Sequence, residues 1–348
     1  MNVVVTGFFG TGSSAVLDLL KEYDNITIVP ETGFAYEHSV FFVPGGLFDL
    51  CVRLLYGNSP QSSDMAINDF IVAMKRLNDN DFGWFGSYKS LLGEDFMKIV
   101  NDFVGRISTI KKGSNSNHYK TVRFSVIKAA AQYLMHIFIG QKFNGYGRWY
   151  VEDRKPVYLS MPSEDEFYIA AKDFTSAYMN LFKTSKISNY KVFDHLIWPQ
   201  QINNFTRCFE NDIKIIVVDR DPRDVFISDQ NIWSTFHFSS KLDEFIDEWK
   251  RTMDACVASS NAMRVHFEDL IYNYEETVTK IENYIGISSS SHRYPQKYLN
   301  PQKSIENTQV FLLKDEWMKQ ANVINNGLHK YLYNFKEQRV PNKKLIFK

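Results

Sequence analysis

The sequence predicts an α/β protein with three layers: a mostly parallel central sheet, a P-loop-like phosphate site and a mainly helical middle region. Three observations predict it. A β-branched run, Val3-Val4-Val5, leads into a glycine-rich turn and then a helical pattern. A second apolar run over 213–218 ends in Asp219-Arg220-Asp221-Pro222. Between them, residues 38 to 190 show helical periodicity and little strand alternation.

Each element follows in order. Three adjacent β-branched residues suit a strand buried on both faces of a parallel sheet. After the turn Gly7-Phe8-Phe9-Gly10-Thr11-Gly12, a helix begins near Ser13, with Ala15, Val16, Leu19, Leu20 and Tyr23 in one apolar stripe. Ile26-Thr27-Ile28-Val29, bounded by Asn25 and Pro30, reads as a second strand, so the opening is a β-α-β unit with a right-handed crossover. In the middle, 69–77, 94–107, 128–139 and 164–182 are read as helices that pack on the sheet and form part of a substrate cleft. Lys191-Val192-Phe193 is a short strand, 213–218 the strongest one, and Arg264-Val265-His266-Phe267 another. Pro222 suits the first position of a helix, and Gly286 stops a helix carrying Val278, Ile281 and Ile285. With no repeat and no linker, residues 1–348 read as one domain.

Composition narrows the function. Of 348 residues 44% are hydrophobic and 23% charged, which excludes a disordered or collagen-like chain. Forty Lys and Arg against forty Asp and Glu leave no net charge, so neither nucleic acid nor an anionic membrane is expected as partner. An anionic ligand must then be held by local charge. Three scattered cysteines, Cys51, Cys208 and Cys256, suggest neither a disulfide framework nor a metal site. They suit a reducing, cytoplasmic setting. The N-terminus reads as a strand that starts at once. The longest apolar-leaning run, 129–139, is broken by Gln132 and His136 and is too short for a membrane span.

Gly7 to Ser14 has P-loop spacing with Ser13 where a lysine is expected. Glycines let the backbone approach an anion, and a helix N-terminus presents N–H groups to it. Gly10, Thr11, Gly12, Ser13 and Ser14 are the candidate phosphate-binding residues, with Ser13 and Ser14 also expected to cap the helix. Without the lysine, an ordinary kinase or NTPase is disfavoured. A second anion site is read at Arg220-Asp221-Pro222-Arg223-Asp224, beyond the carboxyl end of the strongest strand. Arg220 and Ser228, about two helical turns apart, can share one phosphate, unless Arg220 is paired with Asp221 or Asp224.

These two motifs together resemble the sulfotransferases that use 3'-phosphoadenosine 5'-phosphosulfate (PAPS). There the first turn holds the 5'-phosphosulfate, and Arg-x-Pro-Arg-Asp-Val-x-x-Ser holds the 3'-phosphate. Phe267-Glu268-Asp269-Leu270, and Asn300-Pro301-Gln302-Lys303-Ser304 with Asn307, are similar to further family segments. The resemblance covers 1–35 and 190–310, and bacterial members fit best. It implies transfer of a sulfonyl group to an acceptor hydroxyl without a metal, leaving adenosine 3',5'-bisphosphate.

Such a transfer needs a base. Lys191-Val192-Phe193-Asp194-His195-Leu196 is similar to the family's segment with the catalytic histidine, which implies His195 as base. Phe193 stands where the family has a lysine, and Lys191 replaces it only with a register shift. Strand alternation gives Asp194 no reason to meet His195. Glu31, with Glu37 near it, is the rival base suggested by glycan-modifying members. The acceptor is read as a glycan or glycolipid, with a sterol or other lipid alcohol next. The aromatic pairs Phe41-Phe42, Trp84-Phe85 and Trp149-Tyr150 could stack on sugar rings, although most such residues are core. The readings of another class are a P-loop kinase or NTPase, and a nucleotide-binding protein without catalysis.

Overall fold

A computed structural model of the chain describes residues 1–31, 38–79, 88–111, 157–185, 188–256 and 262–347, with 130, 133, 134, 137, 138 and 259. It divides into two compact units, Met1–His38 with Phe182–Lys348, and Ser39–Leu181. Among the described residues there are seven strands: β1 (Asn2–Gly7), β2 (Ile26–Val29), β3 (Thr109–Lys111), β4 (Val157–Leu159), β5 (Tyr190–Asp194), β6 (Lys214–Asp219) and β7 (Ala262–His266).

The first unit is built on a five-stranded sheet in the order β2-β5-β1-β6-β7. Every pairing in it is parallel. The apolar runs have the composition this requires, since Val3, Val4, Val5, Ile215, Ile216 and Val218 are all fully buried. Val3, Val5, Val192, Ile216 and Val218 face one side. There they pack with Val16, Leu19 and Leu20 of the helix Ser13–Leu20 and with Val278, Ile281 and Ile285 of the helix Tyr274–Ile285. The alternate residues Val4, Phe193, Ile215 and Val217 are buried as well.

Register decides where the site forms. Val5 lies opposite Asp194, Gly7 opposite Val218, and Asp219 opposite His266. The turns that follow these strands, carrying Gly10, His195, Arg220 and Phe267, therefore leave from one edge of the sheet, as in other open parallel sheets.

The second unit is mainly helical, with Leu47–Leu55, Pro60–Asp79, Tyr88–Leu92, Asp95–Ile107 and Glu164–Leu181. The expected helix over 69–77 falls within Pro60–Asp79, those over 94–107 and 164–182 match Asp95–Ile107 and Glu164–Leu181 to within one residue, and most of 128–139 lies outside the described residues. Three features were not anticipated: the helices Leu47–Leu55 and Tyr88–Leu92, and the antiparallel pair β3 and β4. The pair is held by the start of the long helix, where Asp64 accepts from Tyr158 N (2.9 Å) and Ser63 donates to Tyr158 O (3.1 Å). Phe41 is buried against Phe48 and Tyr178, so it is core and offers no platform for a sugar. Trp84-Phe85 and Trp149-Tyr150 lie outside the described residues. No helix among the described residues is long and apolar enough to cross a membrane.

Candidate active site

The first loop has the backbone that its glycines foretell. Gly10 and Gly12 sit at φ 75° and 89°, a region that favours glycine. A Cβ at Gly12 would lie 2.9 Å from Phe267 Cδ2, and one at Gly10 would lie 3.1 Å from Trp233 Cζ3. The loop is thus wedged between two later segments, and side chains at either glycine would push it out. Thr11 is buried and turned inward, its hydroxyl donating to Phe8 O (2.8 Å).

Ser13 and Ser14 do not cap the helix. Gly12 takes the N-cap position in a left-handed conformation, and no side chain caps it. Both serines fall inside the first turn, past the position from which a hydroxyl can reach back to N–H groups of the turn. Among the described residues, no group accepts a hydrogen bond from the N–H of Ser13 or Ser14. These amides therefore remain open as donors at the start of the helix.

Arg220 joins the first loop to the second motif. Its guanidinium donates from Nη1 to Gly10 O (3.0 Å) and from Nη2 to Asn307 O (2.6 Å). It stacks on Phe267, with Cζ 5.1 Å from the ring centroid, and lies 5.6 Å from the Phe347 ring. Pairing with Asp221 or Asp224 does not occur. Asp221 caps the helix Pro222–Ile227 through Arg223 N and binds the Arg223 side chain at Nε (2.9 Å) and Nη2 (2.7 Å). Asp224 accepts from the backbone N–H of Gln309 (2.6 Å) and Val310 (2.7 Å). Arg220 is only 3% exposed, and its Nε–H has no partner. Ser228, at the end of the same helix, is fully buried and its hydroxyl has no partner either. A π-helical turn, Ser228–Trp233, follows and delivers Trp233 to Gly10. Such turns recur at functional sites.

Three buried carboxylates surround the two arginines. Burial pushes Glu268 up to about 8, with Asp221 adding to the shift and Arg220 opposing it. Burial likewise pushes Asp224 up to about 7, against the pull of Arg220. Both acids hold a proton in the folded chain that they release in the unfolded one at the same pH, so this part of the stability is complete below about pH 4. It is lost as pH rises through about 7 to 8. We expect the urea midpoint to fall between pH 5.5 and pH 8.5, and Glu268→Gln to flatten that slope. An equal slope in the variant would rule out Glu268 as its source.

His195 follows the last residue of β5 at φ 51°. Its N–H donates to Val5 O (2.9 Å), and its side chain is 13% exposed. Contrary to the expectation from strand alternation, Asp194 Oδ1 lies 2.5 Å from His195 Nδ1. Alternation ends with the strand, and the left-handed backbone at His195 turns its side chain towards its neighbour's. Lys191 does not substitute for the missing lysine, because its amine donates to Phe182 O (3.1 Å). Phe193 is core, packed edge-on against His38 and Phe182. Glu31 lies on the exposed surface, where Ser185 donates to both of its oxygens at 3.0 Å. Glu37 lies outside the described residues.

Sequence reasoning had reached Gly10, Arg220, Ser228 and Asn307, and the structure links Gly10 and Asn307 through Arg220. Phe267, Asp224 and Glu268 stand in the motifs read from the sequence, but the contacts they make here, and the aromatic support from Phe347, do not follow from those motifs. No local pattern signals these contacts, since they are made across long stretches of chain.

The Sulfotransferase family model matches residues 128–291. The match takes in β5 to β7, the Arg220 motif and part of the middle region, and it supports a sulfotransferase family for this chain. No curated protein matches. Among solved structures, the chain is similar to a sulfotransferase from Alicyclobacillus acidocaldarius, at 11% identity over 94% of this chain and 95% of that one, TM-score 0.34. It is also similar to the sulfotransferase domain of the Synechococcus PCC 7002 olefin synthase (10%, 96% and 94%, TM-score 0.37). A third is sulfotransferase STF9 from Mycobacterium avium (9%, 81% and 85%, TM-score 0.32). The family match, and not these distant likenesses, is what supports that reading.

Proposed function

We propose, from the premise of a sulfotransferase family, that this protein moves a sulfonyl group from PAPS to an acceptor hydroxyl of a glycan or glycolipid. In this reading the chain is one sulfotransferase-like domain, acting in the cytoplasm. The observation that carries the donor assignment is the Arg220–Ser228 pair. A buried guanidinium bonded only to carbonyls, with its Nε–H unmatched, precedes the helix Pro222–Ile227, and a buried hydroxyl without a partner closes that helix. Leaving such groups unsatisfied is costly, and a phosphate answers both.

These positions support the following roles. Arg220 and Ser228 bind the 3'-phosphate and so orient the donor. The backbone N–H groups of the Gly10 to Ser14 loop receive the charge that grows on the bridging phosphate oxygen. His195 takes the acceptor's proton as its oxygen attacks sulfur, and Glu31 is the rival for that role. Among the described residues, no cluster of His, Cys, Asp and Glu could hold a metal ion.

The test is thermal unfolding with adenosine 3',5'-bisphosphate, with ATP as the comparison. At a hundred times its Kd the bisphosphate should add about 2.7 kcal/mol. Stabilisation by ATP alone would turn the reading towards a kinase or NTPase, and stabilisation by neither would overturn the donor site. Transfer of labelled sulfate to a panel of saccharides, glycolipids and sterols then decides the acceptor.

A further inference from the structure

We propose that Asp194 is a positioning residue for the reaction, holding the His195 imidazole in the tautomer whose Nε2 carries the proton-accepting lone pair. This rests on the reading of His195 as the base. The geometry carries it: Asp194 Oδ1 is 2.5 Å from His195 Nδ1, and a carboxylate can only accept there, so Nδ1 bears the hydrogen. The contact depends on an unusual backbone. His195 sits at φ 51°, a region side chains other than glycine seldom adopt, directly where β5 ends. Non-glycine residues held in this way cluster at functional sites.

Surrounding contacts keep the pair in place. Val5 O accepts from His195 N–H, which fixes the backbone to the central strand, and the Trp198 ring packs at 5.1 Å from the imidazole. His38 lies behind Phe193, with its pKa lowered to about 3 by burial and by His195 itself, so it adds no positive charge beside the base. When His195 takes a proton at Nε2, the new imidazolium is opposed by the Asp194 carboxylate at Nδ1. The same partner thus fixes the ring and stabilises its charged form.

The experiment uses the full chain with 15N-labelled histidine, the His195 signals being assigned by their loss in His195→Gln. The wild type should show a protonated Nδ1 and an unprotonated Nε2. Asp194→Asn should move the hydrogen towards Nε2 and lower kcat roughly 10²-fold, within the range of a positioned base. The donor KM should stay within about twofold, and Asp194→Glu should restore part of the turnover. An unchanged tautomer in Asp194→Asn would overturn the proposal, as would a loss confined to KM. Full turnover in His195→Gln, with the tautomer shift intact, would instead remove His195 as the base and leave the pair as a structural contact.

Discussion

In Arg220→Ala, the stabilisation by adenosine 3',5'-bisphosphate disappears and the donor KM rises at least tenfold. A hydrogen bond to a charged group contributes about 1.5–3 kcal/mol, which spans ten- to over a hundredfold in affinity. The guanidinium also holds Gly10 O and Asn307 O, so its loss loosens the first loop and the 305–307 turn together. The ligand-free protein should lose less stability than the 3–5 kcal/mol expected on breaking a buried ion pair. Asp221 keeps Arg223, and Glu268 and Asp224 are already pushed towards the protonated form. Arg220→Lys should recover the melting temperature better than it recovers ligand binding, because an ammonium lacks the planar fork. Equal stabilisation of wild type and Arg220→Ala by the bisphosphate would place the 3'-phosphate elsewhere.

His195→Ala should lower kcat by about 10²–10⁴, the usual contribution of a positioned general base, while bisphosphate binding stays unchanged. Glu31→Gln should leave kcat within about twofold. The difference follows from surroundings: His195 is largely buried beside Asp194, whereas both Glu31 oxygens are occupied by Ser185 on the exposed surface. Steady-state kinetics at saturating donor separates the two. The reverse pattern would make Glu31 the base.

Much of the fold was legible because its signals are local. Val3-Val4-Val5 and the 213–218 run have the composition of strands buried on both faces, and the helix after Gly12 carries a plain apolar stripe. The helix Leu47–Leu55 could have been read from Leu47, Phe48, Cys51 and Leu54, which share one buried face at helical spacing. The β3–β4 pair had no such signal. It joins two three-residue segments far apart in sequence, too short for alternation to show.

The candidate site divides in the same way. The sequence alone determined which residue types could hold an anion: glycines before a helix, an arginine before Pro222, a serine eight residues on, a histidine closing a strand. It could not say which partner each would find. Only the tertiary structure gave Asp221 to Arg223 and Asp224 to the Gln309 and Val310 amides, leaving Arg220 bonded to neutral carbonyls. Only it turned His195 onto Asp194 and left Glu31 with Ser185. The physical reason is that residue type and spacing are written locally. Hydrogen-bond partners and burial depend on parallel register and on segments that return from up to a hundred or more residues away.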